Sequence, residues 1–168
     1  MMHRYLSFLS NKISQLVGEK DVLFCPDPNV GDTNKILLSV ILIEKEGLHS
    51  NEQYYVPVGD NFISKRKPLF LNMYLAIISS FKSDQYLIGI EKLSIVASFF
   101  QNNNSFQRIA HGEMIEKNIE DFTVKNENFS KDKFAHYPSL PCLVYKVGLI
   151  PIYDDNIVDK IYPSVKNI

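Results

Sequence analysis

Apolar residues recur at steps of three and four along two stretches of the chain, which is the spacing of residues on one face of a helix. The first stretch, residues 5–17, is followed by Gly18, a candidate C-terminal cap. The second, residues 84–101, carries two apolar stripes side by side. So broad an apolar surface exceeds what packing on one sheet requires, so we expect this helix also to contact a second surface, such as a neighbouring subunit.

Three other runs have the composition of strands. Residues 35–44 are rich in Ile and Val and barely alternate, which predicts a strand buried on both faces in the middle of a sheet. Residues 69–78 are apolar at every odd position, and residues 143–152 form a last strand. Pro151 predicts that this last strand ends at a sheet edge or leaves the sheet. A weaker segment, 113–124, is interpreted as an exposed edge strand.

The order of these elements predicts a single α+β domain, with a mostly antiparallel or mixed sheet of about four strands packed with two main helices. We place this domain at residues 1–153 and a polar C-terminal arm at 154–168. Residues 25–34 are predicted as a turn, and residues 129–136 as a short helix or turn. The connection 47–67 is polar and irregular, and connections of this length in a compact domain are usually functional or mobile.

Composition excludes several classes of protein. The 168 residues are 45% hydrophobic and 22% charged, which argues against wholesale disorder, a collagen-like fibre or a disulfide-rich toxin. A net charge of −1 provides no field to attract nucleic acid or anionic lipid. The N-terminus lacks the apolar core of a secretory signal, and no apolar run reaches the ~18 residues that a membrane span needs. We therefore expect a protein folded in the cytoplasm.

The residues suggest no catalytic or metal chemistry. The histidines lack a second His, a Cys or clustered carboxylates at metal-ligand spacing, so we predict no metal site and no cofactor. We interpret Cys25 and Cys142 as small apolar residues of the fold. The alternative is a nucleophilic Cys–His pair that joins either thiol to a histidine. Several carboxylate pairs occur in polar segments where solvated surface charge explains them. These pairs are Glu44/Glu46, Glu116/Glu120, Glu120/Asp121 and Asp154/Asp155.

The features that remain suit contacts with other proteins. They are the broad apolar helix at 84–101, the connection 47–67 with its basic residues Lys65, Arg66 and Lys67, and the polar arm at 154–168. A sheet edge can accept an extra strand from a partner, and a flexible arm can supply one. A buried core helix and a solvated loop are the alternative interpretations of the first two. The candidate interface residues are Lys65, Arg66, Lys67, Tyr86, Phe99, Phe100, Asp154 and Asp155.

Three short motifs follow one another along the chain: Leu-Asn-Met-Tyr at 71–74, Phe-Phe-Gln at 99–101 and Tyr-Lys-Val at 145–147. Together with the strand segment 34–46, they resemble in order the cap, or tail-terminator, family of contractile injection systems, the phage-tail-like particles and their secretion-system relatives. The resemblance runs from about residue 34 to 150. Residues 113–136 depart from it, since they are shorter and more polar than the family's matching strand and helix and the chain has no Trp.

The resemblance implies a structural role and a tail-terminator-like fold. Members of this family form a ring, usually a hexamer, at the end of the tail distal to the baseplate. The ring sits on the last layers of the inner tube and the contractile sheath, ends their polymerisation and holds them together. The implied partners are copies of the chain, the sheath protein and the tube protein, with no specific nucleic acid and no direct membrane insertion. The implied place is cytoplasmic assembly, in a particle that can be released from the cell.

Three alternatives stay open at this point. A different ring component of the same machine, such as a baseplate or tube-adaptor subunit, would share much of the pattern. A small Cys-dependent enzyme would need a reactive thiolate at Cys25 or Cys142. A monomeric binding module would show no self-assembly at any concentration.

Overall fold

A computed structural model of the protein describes residues 2–27, 33–46, 53–58, 61–66, 69–106, 109–110, 113–114, 122–127, 139–152 and 161–163. Within these ranges it has two α-helices and eleven strands, arranged in sheets of six, three and two strands. The helices are α1 (Met2–Val17) and α2 (Tyr86–Asn102), and short 3-10 turns occupy Glu19–Asp21 and Ser83–Gln85. The strands are β1 (Val22–Phe24), β2 (Lys35–Lys45), β3 (Gln53–Val58), β4 (Asn61–Arg66), β5 (Leu69–Ser80), β6 (Ser105–Phe106), β7 (Ile109–Ala110), β8 (Glu113–Met114), β9 (Phe122–Asn126), β10 (Cys142–Ile152) and β11 (Ile161–Pro163).

The large sheet has the strand order β1-β2-β5-β10-β9-β6. Only β1 runs parallel to its neighbour among these described pairs, and the other pairs are antiparallel. The α+β class and the mixed sheet are therefore confirmed. The strand count is larger than the expected four, because β1, β6 and β9 are two to five residues long and too short to give a clear pattern.

The two longest predicted strands lie side by side in the middle of this sheet. β2 and β5 pair from Lys35 opposite Ser80 to Lys45 opposite Leu71, with an irregularity between Val40 and Leu42. Every residue of β5 from position 72 to 80 is buried. Both faces of these strands are covered, which is why their sequences are apolar almost without interruption.

Both helices pack on one face of the sheet and form the main core with it. Aromatic rings join α1 to the strands at one side of this core. The ring of Tyr5 lies edge-on to Phe122 at 5.2 Å between centroids, and Phe8 lies edge-on to Phe106 at 5.6 Å. Such pairs contribute about 0.5–1.5 kcal/mol each beyond the area they bury.

The end of α1 follows the sequence prediction. The helix ends at Val17, and the Gly18 N–H donates to the carbonyl of Ser14 at 2.9 Å. Gly18 has φ 110°, a conformation that side-chain-bearing residues rarely adopt. Glycine therefore stops this helix and turns the chain into β1.

The connection predicted as an irregular loop contains two strands instead. β3 and β4 form an antiparallel hairpin, with Gln53 opposite Arg66 and Val58 opposite Asn61. The segment predicted as the polar arm supplies β11, which pairs with β4 and completes the three-stranded sheet. The boundary of the predicted domain at residue 153 stays a prediction. β11 escaped the sequence analysis because its partner β4 lies about 100 residues earlier, and pairing at that distance leaves no local pattern. The hairpin of β3 and β4 is a local pairing that the sequence analysis missed.

The weak segment 113–124 also differs from its interpretation. β9 lies between β10 and β6, with Phe122 and Val124 buried, so it is not an exposed edge. Pro151 lies opposite Phe70 of β5, whereas the described pairing of β10 with β9 ends at Gly148. The proline is thus in a part of β10 with one described neighbour, as expected of an edge position. The predicted turn at 129–136 lies outside the described residues.

Candidate assembly surfaces

Helix α2 buries one side against the sheet and exposes large apolar side chains on the other. Its buried residues recur at steps of four, three and four, and they are Gly89, Leu93, Val96 and Phe100. The exposed apolar residues of the helix are Tyr86, Leu87, Ile88 and Ile95. Leu87 is the extreme case, with 80% of its surface accessible. A helix with one packed side normally presents polar residues on the other, so this surface requires an explanation.

Strand β1 exposes two further apolar residues, one on each face of the sheet: Phe24 pairs with Leu38 of the main core, on the face that carries the helices, and Leu23 pairs with Leu37 on the opposite face. Leu23 and Phe24 are about half exposed, and β1 is the edge strand of the described sheet. The Lys92 ammonium of α2 forms an ion pair with Asp21 at 2.5 Å, directly before β1, which ties helix and strand together at one end of the molecule. We name the exposed set the α2–β1 surface. It comprises Phe24, Tyr86, Leu87, Ile88 and Ile95.

A shallow groove runs along α2 beside Leu16 of α1, with Ile95 on its wall. Three of its polar side chains donate hydrogen bonds to backbone carbonyls of α2. Ser94 Oγ, Asn102 Nδ2 and Asn103 Nδ2 each donate to the backbone carbonyl four residues earlier, at 2.9, 3.0 and 2.9 Å. These donors would stay satisfied if a partner excluded water from the groove, which lowers the cost of covering it.

Charge is scarce on α2. Its 17 residues include two charged ones, Glu91 and Lys92. Lys92 points toward the end of α1, where it donates to the Val17 carbonyl at 2.5 Å as well as pairing with Asp21. Glu91 is therefore the charged group of the exposed side. Depletion of charge is the compositional mark of the centre of a protein interface.

A second apolar surface lies at the opposite end of β2 and β5. Ile43 and Leu69 are exposed, and we name this pair the strand-end surface. Ile43 lies opposite Met73, a core residue under the helices, and Leu69 is four residues before Met73 on the same face of β5. Because β5 has 12 residues, its two ends are about 36 Å apart. Leu69 begins β5, whereas Ile43 pairs with Met73, four residues further along, so these two exposed residues are about 13 Å apart along the strands.

The other face of the sheet holds a polar cluster. Tyr74 donates to the Glu44 carboxylate, and Asn72 Nδ2 donates to Glu46 Oε2 at 2.5 Å. Lys146 Nζ lies 3.8 Å from the same Glu46 oxygen. Asn72 is 2% exposed, and within the described residues its Oδ1 has no hydrogen-bond partner. The cluster joins β2, β5 and β10, so we interpret it as a polar part of the sheet packing.

The structure places the predicted interface residues in different environments. Tyr86 is exposed on the α2–β1 surface and Phe99 is half-buried beside the groove. Phe100 is 2% exposed and packs on Tyr145 with 4.9 Å between ring centroids, so it belongs to the core. Lys65 and Arg66 lie in β4. The remaining candidates, Lys67, Asp154 and Asp155, lie outside the described residues.

Sequence reasoning missed the exposed residues of the strands. Leu23, Phe24, Ile43 and Leu69 stand in apolar runs that are indistinguishable from buried strand residues. Their exposure depends on where each strand lies in the sheet, which periodicity does not report. The high apolar content of α2 was the one signal that pointed to a second surface.

Both cysteines are thiols and are half-buried on the face opposite the helices. β2 and β5 lie between them, so their backbones are about three strand spacings, or ~14 Å, apart. A disulfide requires Cα atoms closer than about 7 Å, so these two do not form one. In the part of the chain that the structure describes, no three His, Cys, Asp or Glu residues are placed to hold a metal ion. None of the described helices is sufficiently long and apolar to cross a membrane.

A family model described as the Pvc16 N-terminal domain matches residues 6–165, from α1 through β11. This family is associated with Photorhabdus virulence cassette contractile injection systems, which indicates a structural component of such a system. The comparison with curated proteins gives no match.

Proposed function

Since the chain belongs to the Pvc16 N-terminal domain family, we propose that it is the cap of a contractile injection system. It forms a ring, which we expect to be a hexamer, at the end of the particle distal to the baseplate. There the ring ends polymerisation of the inner tube and the contractile sheath and holds the two together. The motifs at 71–74, 99–101 and 145–147 support this role within the family.

The α2–β1 surface is the observation that carries the proposal. Five large apolar side chains, Leu87 at 80% exposure and the other four at 39–48%, amount to roughly 500 Å² of apolar area, taking ~200 Å² for a large side chain. The largest apolar patch of a typical monomer is about 300–600 Å² and is often functional. A protein whose work is to bind copies of itself and the end of a tail would use such a surface.

The small sheet supports attachment to the sheath. β11 joins β4 through three residue pairs, and β3 and β11 are the edge strands of this described sheet. An edge strand offers unpaired backbone groups to an extended segment of another protein. We propose that the sheath engages the cap here, by addition of a strand.

The proposed cap has no catalytic residue, no cofactor, no specific nucleic-acid partner and no segment inserted in a membrane. Its partners are copies of itself, the tube protein and the sheath protein. Assembly takes place in the cytoplasm, and the completed particle can be released.

Co-expression with the tube, sheath and baseplate proteins tests this proposal, with and without the chain. With the chain, negative-stain images should show particles of uniform length, each with a ring at the end away from the baseplate. Without it, tubes and sheaths should be of irregular length or separated. A label on the chain that appears at the baseplate end would contradict the cap role and favour the alternative, a baseplate or tube-adaptor ring.

A further inference from the structure

Two apolar residues of the edge strand β1 are exposed, whereas the residues beside them in the sheet are buried. Leu23 and Phe24 are 44% and 48% exposed. They pair with Leu37 and Leu38 of β2, which are 0% and 1% exposed. β2 has a strand on either side, and β1 has no described strand on its outer side. A strand added beside β1 would therefore cover both residues.

Both faces of the sheet are uncovered at this edge. Phe24 lies on the face that carries the helices, and Leu23 lies on the opposite face. A helix docked on one face would cover one of the two residues. A strand that pairs in the plane of the sheet places side chains beside both. The exposure on both faces thus favours an extended partner over one that docks on a single face.

The main-chain groups of β1 show where such a partner would bind. The Cys25 N–H donates to the Leu38 carbonyl at 3.0 Å, so Cys25 directs its main-chain groups toward β2. Successive residues of a strand direct these groups to opposite sides, so Leu23 also faces β2, whereas Val22 and Phe24 face the open edge. The N–H and C=O groups of these last two residues are therefore directed at a further strand.

β1 lacks the side chains that normally protect a sheet edge. Exposed edges often carry a charged residue or a proline, which prevents pairing with another chain. The sequence of β1 is Val-Leu-Phe, and the charged residue before it, Asp21, is paired with Lys92 of α2. The protection that β1 has is its length of three residues. A partner segment therefore pairs here when other contacts already hold the two proteins together.

The other edges of this chain do not suit β1 in a ring. At the far edge of the large sheet, β6 has two residues and is shorter than β1. β1 paired with its own copy gives a two-fold contact, whereas a closed ring joins unlike surfaces. The edges β3 and β11 are those that the proposed function assigns to the sheath. Of the proposed partners, the tube protein remains.

We propose that β1 accepts an extended segment of the inner-tube protein as a seventh strand of the large sheet. The segment pairs with the N–H and C=O groups of Val22 and Phe24, and it carries apolar side chains on both faces, beside Leu23 and Phe24. This inference rests on the proposed function, which supplies the tube as a partner and assigns the small sheet to the sheath.

A proline at position 24 tests the main-chain pairing. Phe24→Pro removes an N–H that faces the open edge and leaves the hydrogen bonds between β1 and β2 in place. Phe24→Ala is the matched control, because it removes the same ring and keeps the N–H. Both variants should keep the circular dichroism spectrum of the unmodified chain. About tenfold less of Phe24→Pro than of Phe24→Ala should sediment with co-expressed tubes. Equal sedimentation of the two folded variants would overturn the pairing.

Hydrogen exchange measures the same pairing without a substitution. In the free chain, β2 should protect the amides of Leu23 and Cys25, and those of Val22 and Phe24 should exchange about tenfold faster or more. In the chain bound to co-expressed tubes, all of these amides should be protected. Exchange at positions 22 and 24 that is the same in both states would overturn the inference.

Benzoylphenylalanine in place of Leu23, a photo-reactive group at an exposed position, identifies the partner. In particles that contain the tube, sheath and baseplate proteins, the cross-link should join the chain to the tube protein. A cross-link to the sheath protein or to a second copy, or none, would overturn the inference. The cap role would stand in that case if the ring lies at the end distal to the baseplate. A ring at the baseplate end would overturn the cap role instead, and a cross-link to the tube there would leave the contact at β1 standing.

Discussion

Gly89 of α2 lies directly over Ser79 of β5. A methyl group at Gly89 would come within 2.1 Å of the Ser79 hydroxyl oxygen and 2.7 Å of a ring carbon of Phe81. The helix backbone therefore approaches the sheet as closely as a glycine permits. The Ser79 oxygen is buried and, among the described residues, has no hydrogen-bond partner.

We predict that Gly89→Ala destabilises the protein despite the better helix propensity of alanine. Propensity favours the variant by about 1 kcal/mol. Overpacking a tight contact costs about 1–3 kcal/mol, so the net change should be a loss of up to about 2 kcal/mol. Urea denaturation measures it, and Gly89→Ala combined with Ser79→Gly should recover part of the loss. An increase in stability would show that α2 moves away from β5 at little cost.

Lys92 should contribute to stability through two contacts at the end of α1. It donates to the Val17 carbonyl and pairs with Asp21, both at 2.5 Å. Lys92→Met should lower the free energy of unfolding by about 1–2 kcal/mol, because hydrogen bonds to a charged group are stronger than neutral ones and Asp21 is partly screened by solvent. The exposed neighbour Lys20 is the control, and Lys20→Met should change stability by less than about 0.5 kcal/mol. Equal effects at the two lysines would contradict this prediction.

Glu46 should matter more than its buried partner Asn72. Glu46→Ala leaves the Asn72 amide without its acceptor and Lys146 without its carboxylate, which should cost about 1–3 kcal/mol. Asn72→Leu puts an apolar side chain of similar shape in place of an amide whose Oδ1 already has no hydrogen-bond partner among the described residues. The loss of stability should therefore be smaller for this variant. Chemical denaturation of both variants, with Glu46→Gln as the conservative control, decides the order. A larger loss for Asn72→Leu would point to a further partner of the amide.

Burial raises the pKa of Tyr145 above its usual value of 10.0. The folded protein therefore keeps this phenol proton at pH values where the unfolded chain has lost it. The associated stability is fully present below pH 10 and is lost as the pH rises through the folded-state pKa. The unmodified protein should lose up to about 1.4 kcal/mol per pH unit more than Tyr145→Phe in that window. Urea midpoints from pH 8 to 11 measure the difference, and parallel curves across the whole range would contradict it.

Much of the large sheet could be predicted from local pattern. β2, β5 and β10 are largely apolar, interrupted by Ser39, Asn72 and Lys146 respectively, since strands covered on both faces are mostly apolar. Gly18 marked the end of α1 because a positive φ at that point requires glycine. Each of these features depends on a few residues that are neighbours in the chain, so the sequence alone predicts it.

Strand pairing at a distance could not be predicted in this way. β11 is three residues long, and it joins β3 and β4 in one sheet only because the fold brings residues 161–163 beside 61–63. The exposure of strand residues also depends on the tertiary structure. Ile43 and Leu69 stand in apolar runs typical of buried strands, and no residue near them in sequence signals that they are exposed.

Helix α2 shows most clearly which features the sequence determines and which the tertiary structure decides. Its sequence determined a helix with two apolar stripes, one through Leu93 and Phe100 and the other through Ile88 and Ile95. The tertiary structure decided which stripe faces the sheet, because Gly89 alone allows the helix backbone to rest on Ser79. That contact turns Leu93 and Phe100 inward, and Ile88 and Ile95 are left on the surface, where a partner can cover them.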